Sequence, residues 1–83
     1  MAKTPRRTII RPEAANRVRQ YRLLKRIPAR RLAEAVGISP AYLYDIERYQ
    51  SVPTVYVAFR IAQALGEPVE EVFPPIPGLT IPE

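Results

Sequence analysis

The sequence predicts a small all-α domain, and three observations lead there. Apolar residues recur three or four positions apart in several short segments. Gly, Pro, Ser and Thr stand where such segments should start and stop. The 83 residues, 47% hydrophobic and 25% charged, suit one core near the lower size at which a domain holds without staples. No internal repeat divides the chain.

Residues 1–12 carry KTPRRTIIRP, which has no helical period and reads as an extended basic arm. The helical domain is expected over 13–73. From Glu13 the run EAANRVRQYRLLKR has no breaker, and Ala14, Val18, Tyr21 and then Leu24 or the stem of Lys25 fall on one face, so a first helix is expected from Glu13. Ile27-Pro28 interrupts it, because the residue before proline is pushed out of the α region. A short second helix should run from about Pro28 to Val36. Gly37 offers a left-handed helix end, and Ser39-Pro40 offers an N-cap with proline in the next first turn. The third helix then spans Pro40 to about Tyr49, burying Leu43 and Ile46, and QSVP breaks it. Thr54 caps a fourth helix whose core stripe reads as Val55, Ala58, Phe59, Ala62 and Leu65, and Gly66 ends it. A last short turn, EPVEEVF, can return Val69, Val72 and Phe73 to the core. Residues 74–83 form a Pro-rich tail that cannot be helical.

Composition removes most catalytic chemistry. Without cysteine or histidine the chain has no thiolate, no imidazole and none of the usual metal ligands. Glu70-Glu71 read as a solvated face, so no enzyme activity, cofactor or small-molecule substrate is expected. No apolar stretch is long enough for a signal peptide or a membrane span, and a cytoplasmic protein is expected. Charge is uneven: residues 1–31 hold eleven of the thirteen Lys and Arg against Glu13 alone, while residues 32–83 are net acidic. Such a basic block attracts a polyanion through counterion release; a plain solvated surface in an arginine-rich chain is the alternative.

The informative stretch is residues 29–48. Two helices cross steeply over a short turn only if a small residue sits at the crossing and apolar residues lock both sides. Ala33 is the small contact, Gly37 the turn, and Leu32, Val36, Ile38, Leu43 and Ile46 the locking set. A helix-turn-helix is the arrangement that satisfies all seven positions together.

At these residues RRLAEAVGISPAYLYDIER resembles the Leu-Ala, Gly-Val/Ile-Ser and Ile-Glu-Arg landmarks of the lambda-repressor-like, Cro-type (Xre-type) helix-turn-helix regulators, and Pro53 followed by AFRIAQALG resembles their fourth helix. The likeness covers roughly residues 14–73. It implies a compact five-helix DNA-binding domain acting as a dimeric transcriptional regulator with helix three in the major groove; of repression and activation, repression is the expectation favoured. It also implies a structural pair between Arg22 on helix one and Glu47 at the end of helix three. The chain departs from the family at Pro28-Ala29, where a polar pair commonly opens helix two. It departs again at Tyr49, where glycine is frequent, and at Asp45, where a basic or amide side chain is common.

With Leu43 and Ile46 inward, Pro40, Ala41, Tyr44, Asp45 and Arg48 lie outward and are the candidate base readers. Arg48 suits a phosphate or a guanine edge. Asp45 either accepts from a cytosine amino group or is an exposed carboxylate that repels DNA. Tyr42 reads as core. Arg30 and Arg31 in the first turn of helix two are candidate phosphate contacts, with Ser39, Gln50, Ser51 and Thr54 as neutral donors. Ser39 is first an N-cap. Arg6, Arg7 and Arg11 on the arm either enter the minor groove or remain solvated.

Double-stranded DNA is thus the expected partner, bound by a homodimer. The competing reading is a protein-interaction module of antitoxin or anti-repressor type, favoured by Asp45 and by the tyrosines at 42, 44, 49 and 56. The dimer surface is expected after Gly66, from Val69, Val72 and Phe73 with Ile76, Leu79 and Ile81 of the tail; a disordered tail on a monomer that pairs on DNA is the alternative.

Overall fold

Residues 14–75 are described by the structure, a computed structural model. They form α1 (Val18–Leu24), α2 (Ala29–Val36), α3 (Pro40–Glu47), α4 (Val55–Leu65) and α5 (Val69–Val72), with no strand among the described residues. The arm with Arg6, Arg7 and Arg11, and the tail residues Ile76, Leu79 and Ile81, lie outside them.

The helix boundaries follow local chemistry. Gly37 and Gly66 end α2 and α4 at φ 87° and 72°, a region open to glycine without a Cβ clash. Ser39 Oγ accepts the Tyr42 N–H at 3.1 Å and Thr54 Oγ1 accepts the Val57 N–H at 3.1 Å, so each satisfies one orphan donor at a helix start. Pro28 and Pro68 are not in the first turns but immediately before them, with extended ψ of 145° and 146°.

α1 begins at Val18, not Glu13. The cause is Asn16, whose Oδ1 accepts the Val18 N–H at 3.0 Å, a local bond that competes with helix. Its Nδ2 donates to the Ile46 carbonyl at 2.8 Å, so the segment is held by a residue thirty positions away. Ala14 is buried without being in that helix. At the other end Arg26, at φ 58°, turns the chain, with the Ile27 N–H bonded to the Arg22 carbonyl at 3.0 Å. Leu24 is 73% exposed, and Lys25 is the residue that reaches back, pairing with Glu67 at 3.0 Å.

The core is Val18, Leu32, Leu43, Ile46, Ile61 and Val72, joined by Ala29, Ala33, Val36, Ala62 and Leu65. Each large aliphatic side chain taken from water contributes roughly 1.5–3 kcal/mol. α4 packs on α1, α2 and α5, and α2 also packs on α3. The face of α4 is rotated from the expected stripe. Ile61, Ala62 and Leu65 are buried and Val57 packs on the core, whereas Val55 is 71% exposed and Phe59 52% exposed. The helix carries apolar residues on more than one side, so several stripes fit its spacing, and contacts with α2 and α5 select one.

Candidate nucleic-acid interface

The crossing of α2 and α3 is built on Ala33, which is fully buried and lets the backbones approach. Its carbonyl accepts the N–H groups of both Gly37 and Ile38, at 2.8 and 3.0 Å, closing the turn. Leu32, Val36, Leu43 and Ile46 are buried on the two sides, and Ile38 packs against them.

With that face fixed, Pro40, Ala41, Tyr44 and Arg48 of the third-helix region are exposed, and Asp45 is half-buried. Tyr42 packs against the core. Asp45 Oδ1 accepts from Arg48 Nη2 at 3.1 Å, across one helical turn. Such an exposed pair adds little stability. It does hold the guanidinium over the outer face and balances the carboxylate that would otherwise repel a polyanion. A phosphate or a guanine edge offers Arg48 a competing acceptor, and release frees Asp45 to accept.

Around this face the polar groups gather. Arg30 and Arg31 are exposed in the first turn of α2, whose start has no side-chain cap, so its N–H groups remain open. A shallow groove beside them is lined by Arg30, Arg31, Glu34, Ile38 and Pro40. Ser39 and Thr54 use their oxygens as caps and keep their hydroxyl protons for an outside acceptor. After α3 the N–H groups of Gln50 and Ser51 both donate to the Asp45 carbonyl, at 2.8 and 3.2 Å, and the Gln50 side chain donates to the Arg48 carbonyl at 3.2 Å.

Behind the outer face α3 is tied to α1. Arg22 Nε and Nη2 donate to the two Glu47 carboxylate oxygens at 2.7 and 3.1 Å, and Nη1 donates to the Ile27 carbonyl at 3.1 Å. Both side chains are buried. The carboxylate hydrogen bond raises the Arg22 pKa above its ordinary range, against the opposing effect of burial. Two anchors went unread in the sequence. Asn16 grips the Ile46 carbonyl, and Tyr49, at φ 64°, donates from its hydroxyl to the Asn16 carbonyl at 3.3 Å. A bulky residue in that left-handed conformation costs roughly 1–2 kcal/mol. Tyrosine at a place where the resembled family often has glycine was the available signal for it; a lone Asn in an apparently unbroken helical run gave none.

The pattern of the helix-turn-helix family matches residues 18–72. Over 58 residues the chain is 31% identical to an uncharacterised helix-turn-helix transcriptional regulator of Methanocaldococcus jannaschii, covering 70% of this chain and 88% of that one. Among solved structures, the clp gene regulator ClgR of Corynebacterium glutamicum is similar at TM-score 0.64 and 33% identity, over 70% of this chain and 61% of its own. This chain thus spans about three fifths of that ClgR chain. The restriction-modification controller protein C.AhdI of Aeromonas hydrophila is similar at TM-score 0.67 and 26% identity, over 75% of this chain and 92% of its own. With the crossing at Ala33, the left-handed Gly37 and the capped α3 already in place, the matching residues establish that this chain belongs to the lambda-repressor-like, Xre-type helix-turn-helix family of DNA-binding transcriptional regulators.

Proposed function

We propose that the chain reads a specific double-stranded DNA site by laying α3 in the major groove, and that it does so as a homodimeric repressor in the cytoplasm. The observation that carries this reading is the pairing of a rigidly backed α3 with an outer face of Pro40, Ala41, Tyr44, Asp45 and Arg48 free of core duties. Ala41 meets a thymine methyl, Arg48 a guanine edge or phosphate, and Asp45 a cytosine amino group once Arg48 has moved. Arg30 and Arg31, the α2 start, Ser39, Gln50, Ser51 and Thr54 hold the phosphates, and Arg6, Arg7 and Arg11 supply further positive charge from the arm. Occupying a promoter is enough to repress it, whereas activation needs an additional contact with polymerase. No cofactor, metal or substrate enters this reading.

One short helix reads few base pairs, so two-fold pairing on half-sites about 34 Å apart supplies the rest. Support for pairing lies on α4 rather than on Val69, Val72 and Phe73, since Val72 is fully buried and Val69 and Phe73 pack against the core, whereas Val55, Tyr56 and Phe59 form an exposed apolar surface beside the capped start of α4. The Arg60 guanidinium stacks 5.8 Å from the Tyr56 ring centre at its edge. Salt-titrated binding to duplex fragments from around the protein's own gene tests the reading. A log–log slope of roughly −0.9 for each phosphate contact is expected, with one fragment preferred. A flat salt response with no preferred fragment sinks it in favour of the protein-interaction module.

A further inference from the structure

Asn16 uses every polar atom of its side chain. Its Nδ2 donates to the carbonyls of Ala14 and Ile46, at 3.0 and 2.8 Å, and its Oδ1 accepts the Val18 N–H at 3.0 Å. Its backbone carbonyl accepts the Tyr49 hydroxyl at 3.3 Å. The Ile46 carbonyl also takes the Tyr49 N–H at 3.1 Å, so Asn16 and Tyr49 meet the last turn of α3 through the same carbonyl and through each other. Tyr49 keeps its left-handed φ although glycine would hold that conformation without strain. A strained residue whose side chain makes a bond to another element points to a use for that side chain.

We infer that Asn16 and Tyr49 are positioning residues for base reading: together they latch the end of α3 to the segment ahead of α1 and so set the angle at which Tyr44, Asp45 and Arg48 enter the groove. This rests on the proposed reading of DNA by α3. The mechanical reason is simple. The Arg22–Glu47 pair fixes one place at the end of α3, and buried Leu43 and Ile46 seat its inner face, but neither ties down the residues just after Glu47, where Arg48 stands. The Asn16 contact at Ile46 and the Tyr49 contact at Asn16 add separate points, and separate points fix an orientation. Tyr44, Asp45 and Arg48 lie within one turn of the latched residues, roughly 5 Å along the axis, so they move with that end, and a shift of only the ~0.5 Å tolerance of a preorganised site displaces them.

Three variants test the latch in the full chain: Tyr49→Phe, which removes only the hydroxyl, Tyr49→Gly, which also removes the strain, and Asn16→Ala. The first readout is amide exchange, which needs no DNA. All three should speed exchange at the Arg48 and Gln50 amides, which bond to the Tyr44 and Asp45 carbonyls, relative to the amides of α4. The second is the ratio of affinities for the preferred and a random duplex, read beside the melting temperature. Tyr49→Gly is expected to melt no lower than Tyr49→Phe, yet both should lose about tenfold in that ratio, on the scale of one good base contact. The salt slope should be unchanged. Uniform exchange, or a Tyr49→Gly variant as discriminating as the parent, overturns the latch. A parent that prefers no duplex sinks the DNA reading instead, and exchange still decides the latch. If Asn16→Ala does not fold, Tyr49→Phe carries both readouts.

Discussion

α2 and α4 are both amphipathic and pack on each other, but they face the solvent differently. α2 buries Ala29, Leu32, Ala33 and Val36, and its outer positions are Arg30, Arg31, Glu34 and Ala35. α4 buries Ile61, Ala62 and Leu65, yet its outer positions include Val55, Tyr56 and Phe59. The apolar side chains of α2 are used up inside the domain, apart from one alanine. Those of α4 exceed what the other described residues cover, and the excess lies near the start of the helix that follows the candidate reading helix. The contrast separates two sides of one small scaffold: a motif side whose apolar residues are spent inside the domain, and an α4 side with apolar surface that the other described residues leave exposed.

The largest effect should come from the motif side. Arg22→Ala leaves the buried Glu47 carboxylate without its two donors, and removing one partner of such a pair costs about 3–5 kcal/mol, well beyond what forming it contributes. That is a large part of the stability of a domain this small. Thermal unfolding should show the variant largely unfolded; a melting curve like the parent's would mean that Glu47 is hydrated and that the motif side is less closed than its geometry implies.

Next comes a paired substitution on the two helices. Leu32→Ala removes a fully buried side chain from α2 and should cost about 2–5 kcal/mol. Phe59→Ala removes a larger side chain from the outside of α4 and should change stability by less than about 0.5 kcal/mol as long as the chain is monomeric. Its effect should appear in sedimentation, as loss of dimer at tens of micromolar. Equal destabilisation by the two variants would erase the distinction between the helices, and a Phe59→Ala protein that still sediments as a dimer would return the pairing surface to the region after Gly66.

The same contrast explains what the residue pattern disclosed. The turn was legible because Ala33, Gly37, Ser39 and Pro40 each have a local job within a few positions, and the caps and left-handed glycines follow from those jobs. The stripe of α4 was not legible, since choosing among overlapping apolar faces depends on where α2 and α5 lie. The start of α1 was hidden for the same reason: Asn16 leaves the helical run to reach Ile46, a partner the local spacing cannot reveal. Within the candidate site, the outward set at 40, 41, 44, 45 and 48 came from knowing what Leu43 and Ile46 bury, while the Asp45–Arg48 pair required side-chain geometry.

A smaller effect concerns the exposed charges of α2. Arg30→Ala with Arg31→Ala should leave stability nearly unchanged, since both side chains are exposed and their removal opens no cavity. On DNA the pair should lower affinity for specific and random duplexes alike and make the log–log salt slope shallower by roughly 1.8, two phosphate contacts at about 0.9 each. Loss confined to the preferred duplex would make these residues readers of sequence and would move the reading surface partly onto α2.

The smallest effect lies on the far side, where α1 meets α5. The Tyr21 hydroxyl donates to Glu71 Oε1 at 3.1 Å, and this hydrogen bond, followed by desolvation and the Glu71 charge, raises the phenol above its ordinary value of 10.0. The folded state therefore holds the proton more tightly than the unfolded chain. Its contribution to stability is fully present below about pH 10 and is lost as pH rises through the folded value, when a tyrosinate would face the Glu71 carboxylate. Arg17 steadies the same corner, donating from its backbone to the Val72 carbonyl at 2.7 Å and from its side chain to the Glu71 carbonyl at 3.0 Å, so α5 should loosen rather than detach. Tyr21→Phe removes the titrating group and should flatten this small alkaline step in a plot of melting temperature against pH, lying below the parent at neutral pH by about the height of the step and meeting it at alkaline pH. If the parent and Tyr21→Phe curves stay parallel from pH 8 to 11, the hydroxyl is not coupled to folding, and α5 is held by Val72 and the Arg17 contacts alone.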